Sequence, residues 1–300
     1  MRILVTGAAG MLGRALVPLL EEDHEVIGLA RRNCDLSDEN AVRETFRIHK
    51  PDLAVHLAAF TNVDGCELDP RKAQASNEAA TLNVAKAAKG VGAAVLYTST
   101  DYAFDGRANS PYTESAPTNP LNVYGKTKLA GEWHVQETLD RYFIVRTSWL
   151  YGPYGKNFVS TVLRLASEQP ELRIVNDQRG SPTYTRHLAQ KLAELVATRE
   201  YGVYHVAAEG SCTWFEFARK ILELSGVQGV RVLPISTSEC GRPAPRPAYS
   251  VLAGRKLNSL GLGPLPHWQA GLESYLAEVR DGGNDADEVI RKRPAYSKSA

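Results

Sequence analysis

Tyr124-Gly-Lys-Thr-Lys128 sets a phenol and an ammonium four residues apart. On a helix that spacing puts both side chains on one face, one turn apart, and the segment from Val123 to Leu139 carries a helical pattern. A phenol, with an ordinary pKa of about 10, is a poor acid or base at neutrality, but a cation beside it favours phenolate and draws that value toward the working range. The chemistry implied is proton transfer at an oxygen. Ser99-Thr100, at the end of an apolar strand-like run, offers a hydroxyl able to hold the same oxygen that Tyr124 protonates. Ligands of open α/β sheets lie outside the carboxyl ends of the strands, so the helix and the hydroxyl should meet there.

The elements that position these groups begin at residue 1. Within residues 1 to 13 a short apolar strand runs into Gly7, Gly10 and Gly13 and then an amphipathic helix, Arg14 to Glu22. In a dinucleotide site the first glycine permits the tight turn, the second lets the backbone approach a pyrophosphate, and the third lets the helix pack on the sheet. The N–H groups at the helix start, around Met11 and Leu12, then face the phosphates. Apolar runs recur at Ile3–Thr6, Glu25–Leu29, Leu53–Ala59, Ala93–Ser99 and Tyr142–Trp149, with helical patterns between most of them. Consecutive apolar positions suit strands covered on both faces. The expected fold is α/β, a Rossmann-type doubly wound parallel sheet with a smaller α/β substrate-binding lobe. Residues 1–150, with roughly 184–208, should form the NADP-binding domain, and roughly 151–183 and 209–280 the lobe. The lobe should hold a helix near Asn157–Ser167, a strand Leu172–Asn176 and a helix Thr213–Ser225, while Arg186–Thr198 and Val203–Val206 extend the first sheet. Gly241 to Pro247, with three prolines, should be an extended loop. A flexible tail is expected over 281–300, and within it Arg293–Ser297 copies Arg246–Ser250.

At the end of the second strand, where a carboxylate would bind the ribose 2′-hydroxyl of NAD, the sequence reads Ala30-Arg31-Arg32. Two guanidinium forks there suit a 2′-phosphate. NADPH is therefore the expected cofactor, with NADH as the alternative. Asp35 and Leu36 are placed toward the adenine, although Asp35 equally suits the cap of a turn. Ala58 and Ala59, followed by Thr61, leave room along the third run for the cofactor.

The bulk numbers fit a compact enzyme. The 300 residues are 43% hydrophobic, and 35 basic against 34 acidic side chains leave a formal charge of +1. That balance offers no footprint for nucleic acid. Cys34, Cys66, Cys212 and Cys240 show neither CxxC nor zinc spacing, the seven histidines form no ligand pattern, and so free thiols and no metal are expected. No leader pattern and no apolar run of about 18 residues is present, which makes the expectation cytoplasmic with no membrane association.

These motifs, in this order, resemble the extended short-chain dehydrogenase/reductase superfamily. Within it, six blocks resemble the dTDP-4-dehydrorhamnose reductase family: Ser99–Gly106, Pro120–Glu132, Arg146–Gly152, Asn157-Phe-Val, Asp177–Thr183 and Arg246–Ser250. The resemblance implies that Thr100, Tyr124 and Lys128 carry catalysis, with Tyr124 and Lys128 also against the cofactor. It implies a nucleotide-sugar substrate contacted by Trp149 and its neighbours, although a tryptophan after a strand also reads as core. Thr100, Asp101, Tyr102, Asn157 and Arg246 are the other substrate candidates: Asp101 and Tyr102 suit orienting the substrate or bonding locally, and Arg246 suits gripping a diphosphate as a bidentate fork or lying free in solvent. Part of that family binds magnesium at a dimer contact through a glutamate just after the glycine loop; Ala15 stands there in this chain, so a monomer or weak homodimer is expected. Two other readings stay open. One is a nucleotide-sugar epimerase or dehydratase, against which Tyr102 counts because it follows Asp101 where a dehydratase needs a glutamate. The other is a non-catalytic subunit resembling the regulatory partner of methionine adenosyltransferase.

Overall fold

The computed structural model describes residues 1–282. Strands β1 (Arg2–Thr6), β2 (Glu25–Leu29), β3 (Leu53–His56), β4 (Ala94–Thr100) and β5 (Tyr142–Thr147) alternate with helices α1 (Met11–Glu21), α2 (Glu39–His49), α3 (Ala80–Val91) and α4 (Val123–Thr138). Beyond them come α5 (Phe158–Glu168), β6 (Glu171–Val175), α6 (Thr185–Thr198), β7 (Gly202–His205), α7 (Trp214–Ser225), β8 (Arg231–Ile235) and α8 (Trp268–Gly282). Six strands pair in parallel in the order β7-β5-β4-β3-β1-β2. From β1 the chain steps one way to β2 and the other way to β3, β4 and β5. The carboxyl ends of β1 and β3 therefore form the topological switch point.

Strand alternation distributes the apolar runs between two cores. Ile3, Val5, Val55, Leu96 and Val145 point to one face, against α1 and α6, where Leu16, Leu188 and Leu192 close the core. Leu4, Ala54, Val95, Tyr97 and Ile144 point to the other, against α2, α3 and α4 with Phe46, Val84 and Val135. Both faces being covered explains why these strands read as continuous apolar stretches. A separate cluster joins α5, α7 and α8 through Val162, Phe217, Ile221, Leu272 and Tyr275, and β6 and β8 pair in parallel beside it.

Element bounds differ from the expected ones chiefly at strand ends. The third run stops at His56, because Leu57 to Phe60 leave the sheet and the Phe60 backbone is held by Asn77, at 2.7 Å through its N–H and 3.2 Å through its carbonyl. Asn77 lies in a π-helical turn, Gln74–Ala79, that leads into α3 and has no sequence signal. Asp281 and Gly282 finish α8; the rest of the expected tail, with the repeat Arg293–Ser297, lies outside the described residues. No helix among the described residues is long and apolar enough to cross a membrane.

Candidate active site

A groove of about 900 Å³ runs across the switch point. Its floor is the glycine loop. Gly7 turns with φ +70°, and a Cβ on Gly13 would lie 2.5 Å from the Gly7 carbonyl oxygen and 2.7 Å from Ala8 Cα. The helix start thus presses so close to the turn that only hydrogen fits. Helix α1 has no side-chain cap and no acid in its first turn, which leaves its first N–H groups and the positive end of its dipole facing the groove.

Gly7, Gly10, Met11, Leu12, Gly13, Arg31, Asp35, Leu36, Ala58, Ala59 and Thr61 line one stretch of this groove; Thr100, Asp101, Tyr102, Tyr124, Lys128 and Trp149 line the other. Three residues singled out in the sequence stand apart from its lining. Arg32 is solvent-exposed beyond the groove edge, while Arg31 reaches it. Asn157 is buried at the start of α5, where its side chain accepts from Ser160 N–H at 3.0 Å and donates to the Gly152 carbonyl at 2.8 Å. Arg246 forms an ion pair with Asp64 at 2.9 Å and donates to the Ala244 carbonyl at 2.8 Å. Asp35 does cap a turn, accepting from Ser37 N–H at 3.0 Å and from its hydroxyl at 2.7 Å.

The proton-transfer groups are brought together by the start of α4. Asn122 caps the helix by accepting from Gly125 N–H at 2.8 Å, and a Cβ on Gly125 would sit 2.2 Å from the Tyr102 carbonyl oxygen. That close approach packs the first turn of α4 on the short 3₁₀ turn Asp101–Ala103 after β4. The Tyr124 phenol is thereby brought up to the Thr100 hydroxyl on the groove wall. Thr100 Oγ1 also accepts from Tyr102 N–H at 3.1 Å and donates to Asp101 Oδ1 at 3.2 Å. The Tyr102 and Tyr124 rings meet edge to face, with centroids 5.9 Å apart.

The electrostatics correct one expectation. Burial pushes the Tyr124 phenol well above its usual value, and the hydroxyl of Thr100 only partly offsets this. Lys128 is itself only 2% exposed, with Nζ 4.2 Å from the centre of the Tyr97 ring, and burial brings it down to about 7. Burial penalises both charged forms, so the resting phenol is held protonated, the opposite direction to the one the spacing suggests. Asp101 is raised to about 7, again by burial against the hydroxyls of Ser250 and Thr100, and its Oδ2 has no hydrogen-bond partner within the described residues.

Sequence reasoning missed a second aromatic in the groove. Trp149 adopts φ +48°, a strained conformation for a bulky residue, and its ring lies parallel to that of Trp214 with centroids 3.4 Å apart. Trp214 opens α7 and also lines the groove; in the sequence it carries no motif. Lys72 and Lys156 line the groove as well, and neither carried a motif.

Comparison with known proteins agrees with this arrangement over most of the chain. The family described as RmlD substrate binding domain matches residues 1–281. The chain is 44% identical over 284 residues to a dTDP-4-dehydrorhamnose reductase of Streptomyces griseus, covering 92% of this chain and 93% of that protein. It is 42% identical over 278 residues to the spore coat polysaccharide biosynthesis protein SpsK of Bacillus subtilis, covering 92% and 97%. Among solved structures, the dTDP-4-dehydrorhamnose reductase of Bacillus anthracis, in complex with NADP, superposes with a TM-score of 0.90 at 42% identity, covering 92% of this chain and 99% of that one. A glycine cradle, a strand-end threonine and a Tyr-Lys helix on one parallel sheet, matched over nearly the full length of such relatives, make this chain a member of the RmlD substrate-binding-domain family.

Proposed function

We propose that the protein is an NADPH-dependent reductase of the C4 keto group of a nucleotide-linked 4-keto-6-deoxyhexose, a dTDP-4-dehydrorhamnose reductase forming dTDP-L-rhamnose. The observation that carries the reading is that Thr100, Tyr124 and buried Lys128, the last two one helical turn apart on α4, line one wall of the glycine-loop groove. The names and NADP complex of the relatives support the substrate and cofactor.

The residues fit the dinucleotide. Gly10, Gly13 and the uncapped start of α1, with Met11 and Leu12, would hold the pyrophosphate, Arg31 the 2′-phosphate, Asp35 and Leu36 the adenine, and Ala58, Ala59 and Thr61 the passage between. NADPH, when bound, supplies the hydride that reduces C4. Tyr124 gives its proton to the oxygen that becomes the alcohol. Burial keeps this phenol protonated at neutral pH, so it enters as the acid, and an alkoxide is basic enough to take its proton. The phenolate left behind is the species the buried site disfavours most, and an ammonium at Lys128 offsets its charge. The Thr100 hydroxyl turns from Asp101 to hold the same oxygen, a pre-placed donor worth about 2.7–4 kcal/mol where charge develops.

On the sugar side, Asp101, Tyr102 and the Trp149–Trp214 pair would hold the hexose. Arg246 would exchange Asp64 for a diphosphate oxygen, and Asn157 would act by shaping the loop Gly152–Lys156. The Rossmann sheet and the α5–α7–α8 cluster would be the two domains. The protein is placed in the cytoplasm, where buried free thiols such as Cys66 and Cys212 stay reduced, as a monomer or weak homodimer.

Purified protein given NADPH and a panel of TDP-, UDP- and GDP-linked 4-keto sugars tests the reading. Stoichiometric loss of NADPH with a 4-hydroxy sugar as product is the expected result. Absence of NADPH consumption with every sugar would leave the epimerase or regulatory-subunit readings in its place.

A further inference from the structure

Both faces of the Trp149 ring are covered. On one side lies Trp214, with ring centroids 3.4 Å apart and planes 4° from parallel. On the other lies Gly180, where a Cβ would meet Cε2, Cζ2 and Nε1 of the Trp149 indole at 2.5 to 2.7 Å, nearer than any atom of Trp214. The backbone of Trp149 is fixed as well. Its carbonyl accepts from Thr183 N–H at 3.2 Å, the neighbouring Ser148 hydroxyl donates to the Ser181 carbonyl at 2.7 Å, and φ is held at +48°. Trp214 is the freer partner. Its backbone is secured at the start of α7 by the capping box of Thr213 and Glu216, while its ring meets those of Phe158 at 4.6 Å and Phe217 at 6.5 Å, both tilted. Both indoles are part-exposed and line the groove. At so short a separation the two rings lie directly over one another, the arrangement that aromatic pairs favour least. Trp214 is therefore the side of the stack that a ligand can replace.

We propose that Trp214 is a placeholder for the sugar: its indole covers the face of Trp149 on which the hexose lies, and it leaves that face when the nucleotide sugar binds. The inference rests on the reductase reading for the identity of the ligand. The apolar C–H face of a pyranose ring can take the place of an indole on an aromatic surface, whereas a diphosphate cannot. Gly180 closes the far face with backbone, so a ring reaches Trp149 only from the side that Trp214 occupies. The two indoles also come from different parts of the fold. Trp149 follows β5 of the central sheet, and Trp214 packs against the α5–α7–α8 cluster, so the exchange seats the sugar between sheet and lobe. While the stack is closed the seat is covered, and the apparent affinity for the hexose is reduced by the fraction of molecules in which Trp214 has moved away. Trp214 thereby sets how tightly the hexose is held and takes no part in proton transfer.

The test compares dTDP with dTDP-L-rhamnose, the product of the proposed reaction, by isothermal titration calorimetry on the full chain. The affinity gained on adding the hexose reports on the Trp149 seat. Trp214→Leu keeps apolar bulk against Phe158 and presents no flat ring. It should bind dTDP-L-rhamnose about two- to tenfold tighter than wild type, the worth of one aromatic pair, with dTDP and NADPH affinities unchanged. Trp149→Leu should lose the gain from the hexose, and in that background Trp214→Leu should add nothing. A merely structural Trp214 gives the opposite sign, so weaker or unchanged binding of dTDP-L-rhamnose by Trp214→Leu overturns the proposal. If Trp214→Leu does not fold, Trp214→Met decides by the same criterion. The two readings fail separately. NADPH oxidation on a 4-keto sugar with no tightening in Trp214→Leu overturns this inference alone, and tightening without NADPH oxidation overturns the reductase reading alone.

Discussion

Asp101 links stability to pH in a way that can be worked out from its surroundings. Its carboxyl is 3% exposed, Oδ2 has no partner within the described residues, and burial raises its pKa from 3.8 to about 7. Between those two values the folded protein holds a proton that the unfolded chain has released. The stability this contributes is complete below the unfolded value and is lost as pH rises through the folded one. At roughly 1.4 kcal/mol per pH unit, the two units between about pH 5 and pH 7 correspond to about 3 kcal/mol. Asp101→Asn keeps the shape and cannot ionise. Urea unfolding of wild type and Asp101→Asn across about pH 5 to pH 8 should show wild type losing that amount relative to the variant. A difference that stays flat would mean that Asp101 ionises as an ordinary carboxylate, and the argument from its burial would be refuted.

Two further outcomes follow from the cofactor end of the groove. Gly13→Ala would place a methyl group 2.5 Å from the Gly7 carbonyl oxygen, so NADPH affinity by fluorescence titration should fall more than about tenfold; unchanged affinity would show that the loop has room to give. Arg31→Ala should weaken NADPH by about ten- to a hundredfold, the loss of a charge-assisted hydrogen bond, with NADH binding unchanged. Equal losses for the two cofactors would remove Arg31 from the 2′-phosphate.

The sheet was legible because its strands are buried on both faces, so residues such as Ile3, Leu4 and Val5 form unbroken apolar runs whose length and spacing betray the βαβ alternation. The same property hid the strand ends. Leu57, Ala58 and Ala59 are as apolar as the strand before them, yet they bend out to line the groove because Asn77, fifty residues from Thr127 in sequence, ties the Phe60 backbone to α4. The Tyr124–Lys128 spacing announced a shared helix face, but no spacing reports desolvation, and desolvation decides the direction in which both groups titrate. Asn157 and Arg246 illustrate the same limit. Their side-chain chemistry suits a ligand, and only the fold reveals the Ser160 backbone and the Asp64 carboxylate that occupy them. Trp214 became a groove residue only when α7 was set against Trp149.

The central claim is that the Tyr124 hydroxyl delivers the proton. Tyr124→Phe removes one oxygen from a ring that keeps its edge contact with Tyr102, so the variant should fold and bind NADPH as wild type does. Single-turnover reduction of a TDP-linked 4-keto-6-deoxy sugar should then slow by about 10²–10⁴-fold, the range of a lost general acid. Reduction at the wild-type rate would contradict the account.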